Sequence, residues 1–345
     1  MSSKIEIGAA LLGVGRIGQV HLKNLVDISS FRILWMVDVK ENHKTMDGLI
    51  SRYRLHNETR ITTPDELDKV MEDSRVKVVV ICTPTSFHEH AIMKSLKSDK
   101  HVFCEKPLAP SLDSVKACYA EAYKQQKTLF CALNRRFDPQ LRHIRDELLA
   151  GNYGRPRVIK MTSHELGQPM EYYKYSTGGI FLDMAIHDID YVCWLAGGRP
   201  TSVMATGVTS SDSAENYKRI GDYDSASAIL TFPNGVIGHL NLVRESGYGY
   251  SQTVEVLGTK KIAKSKNMMV SEVECSCLDD GTNIGKMTDS FLTRYQESFR
   301  IEMEHFLEVI QGKAVCDVTS ESYIIASEVS GQLTTSARTG QVVTL

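Results

Sequence analysis

The stretch Ile7-Gly8-Ala9-Ala10-Leu11-Leu12-Gly13-Val14-Gly15-Arg16-Ile17-Gly18 decides the fold. The apolar run Ile5–Leu12 predicts a buried strand, and the glycines that follow it open a helix. In that setting the glycines do different things. Gly13 makes the tight turn, Gly15 admits a pyrophosphate, and Gly18 lets helix and strand pack closely. Arg16 and Ile17 lie in the first helical turn, whose backbone N–H groups are free for phosphate oxygens. The second strand ends at Asp38, twenty residues after Gly18, where an acid accepts ribose hydroxyls. A carboxylate there repels a 2′-phosphate, so NAD is expected; Lys40, two residues on, leaves NADP use open.

The rest of the first 131 residues keeps this rhythm, with strands predicted at Phe31–Val37, Lys77–Ile81, His101–Cys104 and Thr128–Ala132. Helices lie between them, one opened by a capping box at Thr63-Pro64-Asp65-Glu66 and one running from Ser111 to about Gln126. Such alternation predicts a doubly wound parallel sheet covered on both faces, an α/β Rossmann domain over residues 1–131. Residues 132–345 change character. Strands are predicted at Thr201–Val208, Ser225–Phe232, Val236–Val243, Thr253–Leu257 and Lys261–Val270, with a hairpin turn at Pro233-Asn234-Gly235 whose Asn-Gly supplies positive φ angles. Helices close the chain at Phe291–Gln311 and Ser320–Arg338, while Ser210–Tyr217 and Ser271–Gly285 read as irregular surface. This half is expected to be an α+β domain with a mostly antiparallel open sheet.

Composition sets limits on function. Of 345 residues, 42% are apolar and 24% charged, with a net charge of −2 and no basic run, so neither nucleic acid nor an anionic membrane is an expected partner. The eight cysteines make no CxxC or zinc pattern, and Cys82, Cys104 and Cys131 sit in or beside apolar runs as small hydrophobes. With neither a signal peptide pattern nor a bilayer-length apolar segment, the sequence reads as a reduced, cytoplasmic protein.

Three segments carry candidate chemistry. Thr83-Pro84 and Glu105-Lys106-Pro107 each end a strand at the carboxyl edge where doubly wound sheets bind ligands. Proline holds Lys106 extended, over the expected nicotinamide position. His88 and His90 read as members of a first helical turn. The third segment is Gly178-Gly179-Ile180-Phe181-Leu182-Asp183-Met184-Ala185-Ile186-His187-Asp188-Ile189-Asp190. It predicts one amphipathic helix with Leu182, Ile186, Ile189 and Cys193 as its buried stripe, and Asp183 and His187 one turn apart at that stripe's edge. A carboxylate that orients an imidazole is what a general base needs near neutral pH.

Taken in this order, Gly13–Gly18, Glu105–Pro107 and Gly178–His187 resemble the marks of the Gfo/Idh/MocA oxidoreductases: an N-terminal GxGxxG, an EKP and a GGxxxDxxxH helix. Asn134-Arg135-Arg136-Phe137 and Tyr248-Gly249-Tyr250 extend the likeness to nearly the whole chain. The resemblance implies Lys106 and His187 as catalytic groups, Asp183 as their partner toward substrate, and Thr83, Pro84 and Glu105 beside the cofactor. Within the family the wording is similar to the inositol 2-dehydrogenase branch, which implies oxidation of a cyclic polyol, myo-inositol foremost, to its 2-keto product. Arg135, Glu165 and Tyr248 are then candidate hydroxyl ligands, and no metal is needed. A pyranose dehydrogenase, or an NAD-binding sensor without turnover, are the rival readings; the intact Lys106, Asp183 and His187 disfavour the sensor.

The sequence departs from that branch at Ser163-His164-Glu165, Ser251 and Lys261. The first two departures are expected to line the substrate cleft and so to bear on which polyol is used. The alternating sets Ala226/Ala228/Leu230 and Val236/Gly238/Leu240 suggest an apolar sheet face that pairs two copies into homodimers; the resemblance implies homotetramers.

Overall fold

The computed structural model describes residues 6–55, 59–167, 178–271, 273–277 and 281–345. Its two compact units are Met1–Phe137 with Glu297–Ser320, and Asp138–Gln296 with Glu321–Leu345. The division therefore falls at residue 137 rather than 131, and a late segment returns to the first unit. Packing explains both. The 3-10 turn Asn134–Phe137 is buried, Ser298 Oγ donates to the Asn134 carbonyl, and the Phe306 ring lies 5.5 Å from Phe103 and 5.7 Å from Phe130.

In the first unit β1 (Ile7–Leu12), β2 (Phe31–Val37), β3 (Arg60–Thr62), β4 (Val76–Ile81), β5 (His101–Cys104) and β6 (Leu129–Cys131) make one sheet in the order β3-β2-β1-β4-β5-β6. Every pair in it is parallel. The order reverses between β1 and β4, the crevice where doubly wound sheets hold ligands. The helices are α1 (Arg16–Asp27), α2 (His43–Tyr53), α3 (Leu67–Glu72), α4 (His88–Lys97) and α5 (Leu112–Lys124). Strand residues buried on both faces, such as Ala9, Ala10, Leu11, Val78, Val79 and Val80, account for the unbroken apolar runs of the sequence. Ile5, expected to begin β1, lies outside the described residues. The short β3 left no periodic signal to read. The Thr63 hydroxyl makes no capping bond; its neighbour Thr62 Oγ1 donates to Glu66 Oε2 at 2.6 Å instead.

The second unit opens with α6 (Pro139–Leu149), capped by Asp138 Oδ1, which accepts from the Gln140 and Leu141 N–H groups. Its sheet is built from β7 (Pro156–His164), β8 (Ser202–Val208), β9 (Ser225–Thr231), β10 (Ile237–Val243), β11 (Ser251–Gly258), β12 (Ile262–Lys264) and β15 (Val343–Thr344), in the order β12-β11-β7-β10-β9-β8-β15. Only the β7–β10 pair is parallel, so the sheet is mostly antiparallel, as expected. At the β9–β10 hairpin Gly235 alone takes a positive φ, +81°; Asn234 uses its amide to donate to the Ala196 carbonyl. The remaining elements of this unit are α7 (Gly179–Asp183), α8 (Ile186–Ala196), α9 (Ala214–Ile220), α10 (Phe291–Arg294) and α12 (Ser320–Thr339), with the ribbon β13 (Glu274–Cys277) and β14 (Gly281–Ile284), while α11 (Gln296–Ile310) lies in the late segment that returns to the first unit. Helix α9 and this ribbon replace two stretches expected to be irregular; Tyr217, fully buried, anchors α9. Part of 271–285 lies outside the described residues. The helix expected over 291–311 breaks at Tyr295, and the strand expected over 261–270 is only the three residues of β12.

Helix α8 covers one face of this sheet. The contact is close enough that a Cβ on Gly238 would stand 2.6 Å from Val192 Cγ1, so a side chain there has no room. Ala226, Ala228, Leu230, Val236, Leu240 and Leu242 are all buried. They therefore form the core, and the expectation that this set pairs two copies is wrong. The opposite face carries Met204, Ile229, Ile237 and Ile262, each between 42% and 54% exposed. Among the described residues no helix is long and apolar enough to cross a membrane.

Candidate active site

The glycine loop has the geometry its sequence requires. Gly13 sits at φ +90°, and a Cβ there would lie 2.6 Å from the Cys82 carbonyl oxygen. A Cβ on Gly18 would fall 2.0 Å from the Gly13 carbonyl oxygen, so α1 lies hard against the end of β1. Around Gly15 the ideal Cβ meets nothing within 4 Å, which leaves open space at the helix N-terminus for a pyrophosphate. Thr83 Oγ1, just past β4 on the other side of the strand reversal, is buried without a hydrogen-bond partner. Open space at Gly15 and an orphaned hydroxyl at Thr83 both fit a dinucleotide. Asp38 is more occupied than the sequence implied. Its Oδ2 accepts from Val14 N–H at 2.6 Å, and its Oδ1 from Val39 N–H at 2.7 Å and Asn42 Nδ2 at 2.9 Å. A carboxylate offers about four acceptor positions, so Asp38 fastens the glycine loop while keeping room for one ribose hydroxyl.

Beyond β5 the chain turns through Glu105, Lys106 and Pro107. The Glu105 side chain is directed into the protein: Oε1 lies 2.7 Å from His21 Nε2, and Oε2 accepts from the Lys106 N–H at 3.2 Å. On the far side of the lysine, the Pro107 carbonyl lies 2.8 Å from His88 Nδ1, and His88 Nε2 lies 2.7 Å from the Thr83 carbonyl. Burial pushes the His88 imidazole below its usual range, against the opposing pull of these two carbonyls and Glu105. A second acid, Glu302 on α11, is the third member of the buried group. The donor atoms of His21, Glu105 and Glu302 lie within 4.8 Å of one another, and neither Glu302 oxygen has a hydrogen-bond partner. Desolvation, helped by the charge of Glu105, raises the Glu302 carboxyl well above the usual carboxylate range, so it keeps its proton.

In the second unit the GGxxxDxxxH segment is two helices, not one. The chain turns at Met184-Ala185, both of whose N–H groups reach back to the Ile180 carbonyl, so Asp183 ends α7 and His187 sits in the first turn of α8. Ile186, Ile189 and Cys193 of the expected stripe are buried and Leu182 is half-buried, but α8 is buried nearly all round; His187 and Trp194, seven residues apart on one face, are its two half-buried members. Asp183 Oδ2 accepts from Arg244 Nη1 at 3.2 Å, and Arg244 Nη2 donates to Asp222 Oδ2 at 3.1 Å. Asp222 Oδ1 in turn accepts the Ile180 N–H at 2.8 Å, at the start of α7. Arg244 is 1% exposed, so this bridge works in low dielectric, where losing the guanidinium would strand two carboxylates.

The other expected substrate residues are spread more widely. Arg135 is buried in the first unit, in the 3-10 turn after β6. Glu165 follows β7, its N–H bonded to the Val243 carbonyl. Tyr248, 58% exposed, donates its hydroxyl to His164 Nδ1, while His164 Nε2 donates to Asn241 Oδ1 at 3.0 Å. By strand alternation His164 and Asn241 lie on the face turned away from α8. Ser163, one residue earlier, is fully buried on the α8 face, with Oγ 2.9 Å from Asp188 Oδ1 and 3.0 Å from Gln252 Oε1. Ser251, also buried, accepts from Asn267 Nδ2 at 2.9 Å. Ser163 and Ser251 are therefore framework and line no open cleft. The sequence reading missed His21, Glu302 and Arg244. Each breaks an apolar pattern at an inward position: His21 beside Gly18, Leu22 and Leu25; Glu302 between Phe299 and Phe306; Arg244 after Gly238, Leu240 and Leu242.

Comparison with known proteins agrees with this geometry. Residues 7–133 match the oxidoreductase family with NAD-binding Rossmann fold, and residues 141–264 match the GFO/IDH/MocA C-terminal domain. The chain belongs to the Gfo/Idh/MocA oxidoreductase family, and its first unit is the NAD-binding domain. It is 33% identical over 301 residues to an inositol 2-dehydrogenase of Rhizobium meliloti (strain 1021), covering 87% of this chain and 88% of that one. To a myo-inositol 2-dehydrogenase of Thermotoga maritima it is 32% identical over 301 residues, 87% of each chain. Among solved structures, a putative myo-inositol dehydrogenase from Sinorhizobium meliloti 1021 superposes with a TM-score of 0.91 at 30% identity, covering 98% of this chain and 99% of that one.

Two outcomes follow from these contacts. Asp38→Ser should lower kcat/KM with NAD and raise the NADP:NAD ratio, because it removes both the ribose acceptor and the charge facing a 2′-phosphate; an unchanged ratio would remove Asp38 from the ribose site. For Glu302 the sign is fixed by its raised folded-state value. Its stabilising share is complete below the unfolded carboxyl's ordinary 4.5 and is lost as pH rises toward the folded value. Glu302→Gln keeps the shape without the titration, so its stability relative to wild type should climb as pH rises above 4.5. Parallel urea midpoints for the two proteins across that range would show Glu302 unshifted.

Proposed function

We propose that this protein oxidises a secondary alcohol of a cyclic polyol, myo-inositol foremost, to the 2-keto product with NAD. Supporting this reading are the inositol dehydrogenase names of its relatives and the placement of His187 as one of two half-buried residues on an otherwise buried helix. Bound NAD supplies the hydride acceptor. His187 takes the proton of the reacting hydroxyl at an imidazole nitrogen. The Lys106 ammonium opposes the negative charge that grows on the same oxygen. Asp183, anchored by Arg244, holds the neighbouring hydroxyl, and Arg135, Glu165 and Tyr248 are the further hydroxyl ligands. Cys82, Cys104, Cys118 and Cys316 are free thiols, which supports a reduced, cytoplasmic setting.

Self-association belongs to the same reading: homodimers, and by family likeness homotetramers, through the sheet face turned away from α8. Met204 and Ile229 are cross-strand partners there, and Ile237, Val158, Leu257 and Ile262 form a continuous apolar row across β10, β7, β11 and β12. Beside that row Lys160 and Lys264 both pair with Glu255, which gives the surface charge to register against a second copy. Such a row on an open sheet is what a second copy would cover.

The kinetic test is a pair of substitutions. His187→Asn should cut kcat by about 10²–10⁴ and abolish the rise of rate with pH that an imidazole base gives. Lys106→Met should cut kcat by about 10²–10³ with NAD still bound. Normal turnover in either variant removes that residue from the chemistry, and faster turnover of glucose or xylose than of myo-inositol would move the substrate to the pyranoses. For assembly, Ile229→Arg should give a smaller particle in light scattering with the fold retained; a wild type already monomeric at micromolar concentration defeats the sheet-face contact.

A further inference from the structure

We propose that His21 and His88 are positioning residues for Lys106, clamping the backbone on either side of it; this rests on the catalytic role given to Lys106 above. The strand ladder reaches only as far as the Glu105 N–H, which donates to the Ile81 carbonyl at 2.9 Å, and does not extend to Lys106. Glu105, immediately before the lysine, has one carboxylate oxygen 2.7 Å from His21 Nε2 and the other on the Lys106 N–H. Pro107, immediately after it, has its carbonyl 2.8 Å from His88 Nδ1. Both rings are at most 1% exposed, so water does not compete for these bonds. The lysine is the one residue between the two fastenings, and it carries a flexible four-carbon stem whose reach is set by where its Cα is held. The rings stand on α1, which starts within Gly13–Gly18, and on α4, which follows the Thr83-Pro84 loop. Each clamp therefore ties the lysine to an element that also frames the cofactor. An error of about 1 Å in such a placement can cost about 10²-fold in rate.

Amide side chains separate the two ring nitrogens, because Gln places its NH₂ near the position of Nε2 and Asn near that of Nδ1. With the single proton of neutral His88 on Nδ1, His21→Gln and His88→Asn retain the donors to Glu105 and Pro107, whereas His21→Asn and His88→Gln lose them. In single-turnover NADH formation with the substrate polyol, His21→Asn and His88→Gln should be slowed about ten- to a hundredfold. Their partners should recover most of that loss, and NAD affinity by calorimetry should differ little within each pair. A merely structural role would lower melting temperature and rate alike in both members of a pair. The deciding measurement repeats His21→Asn and His88→Gln in a Lys106→Met background. If the histidines act through the lysine, their effects shrink to within about twofold there. Equal losses within both pairs, or losses that multiply undiminished on Lys106→Met, overturn the inference while leaving the role of Lys106 intact. Wild-type turnover by Lys106→Met alone overturns that role, and the positioning inference with it.

Discussion

The close approach of α1 to β1 is the constraint on which the first unit depends. Gly18 can stand against the Gly13 carbonyl because neither residue carries a side chain, and a Cβ at position 18 would be only 2.0 Å from that oxygen. This proximity aims the first turn of α1 at the space above Gly15 and gives the phosphate site its donors. It also carries His21, one turn further along, to within 2.7 Å of Glu105 at the end of β5. One backbone contact thus supports both the cofactor loop and the turn that bears Lys106.

The second unit relies on a different device. A guanidinium that is 1% exposed joins Asp183 to Asp222, and Asp222 caps the short helix on which Asp183 lies. The arrangement is costly to bury and costlier to break, so it holds the Asp183 carboxylate in place. The break at Met184-Ala185 belongs with it. A continuous helix would have kept aspartate and histidine on one face, whereas the turn lets the aspartate meet Arg244.

Motifs whose meaning is local were legible in the sequence. The strand–glycine–helix junction and the end of β5 before the EKP turn each depend on residues close together in the chain, whereas the GGxxxDxxxH segment, read as one helix, is two. The alternation that separates a parallel sheet from a mostly antiparallel one depends on close residues as well. Less legible were short or interrupted elements: β3, with three residues, and α9, hidden in a polar stretch. The sheet face was misread for a related reason. Alternation reports that one side of a strand is apolar, and only the position of α8 over Gly238 shows that this side is the core.

The sequence alone determined the fold class, the cofactor and the family, because backbone conformation at glycines, burial of apolar runs and strand-end residues follow from chain-local chemistry. Tertiary structure decided which polar groups are bound to one another. His21 meets Glu105 across 84 residues, and Arg244 meets Asp183 across 61. In the sequence these residues appear only as polar interruptions of apolar stripes. Their partners are fixed by strand order and helix placement, through contacts between segments far apart in the chain, and no spacing along the chain encodes those.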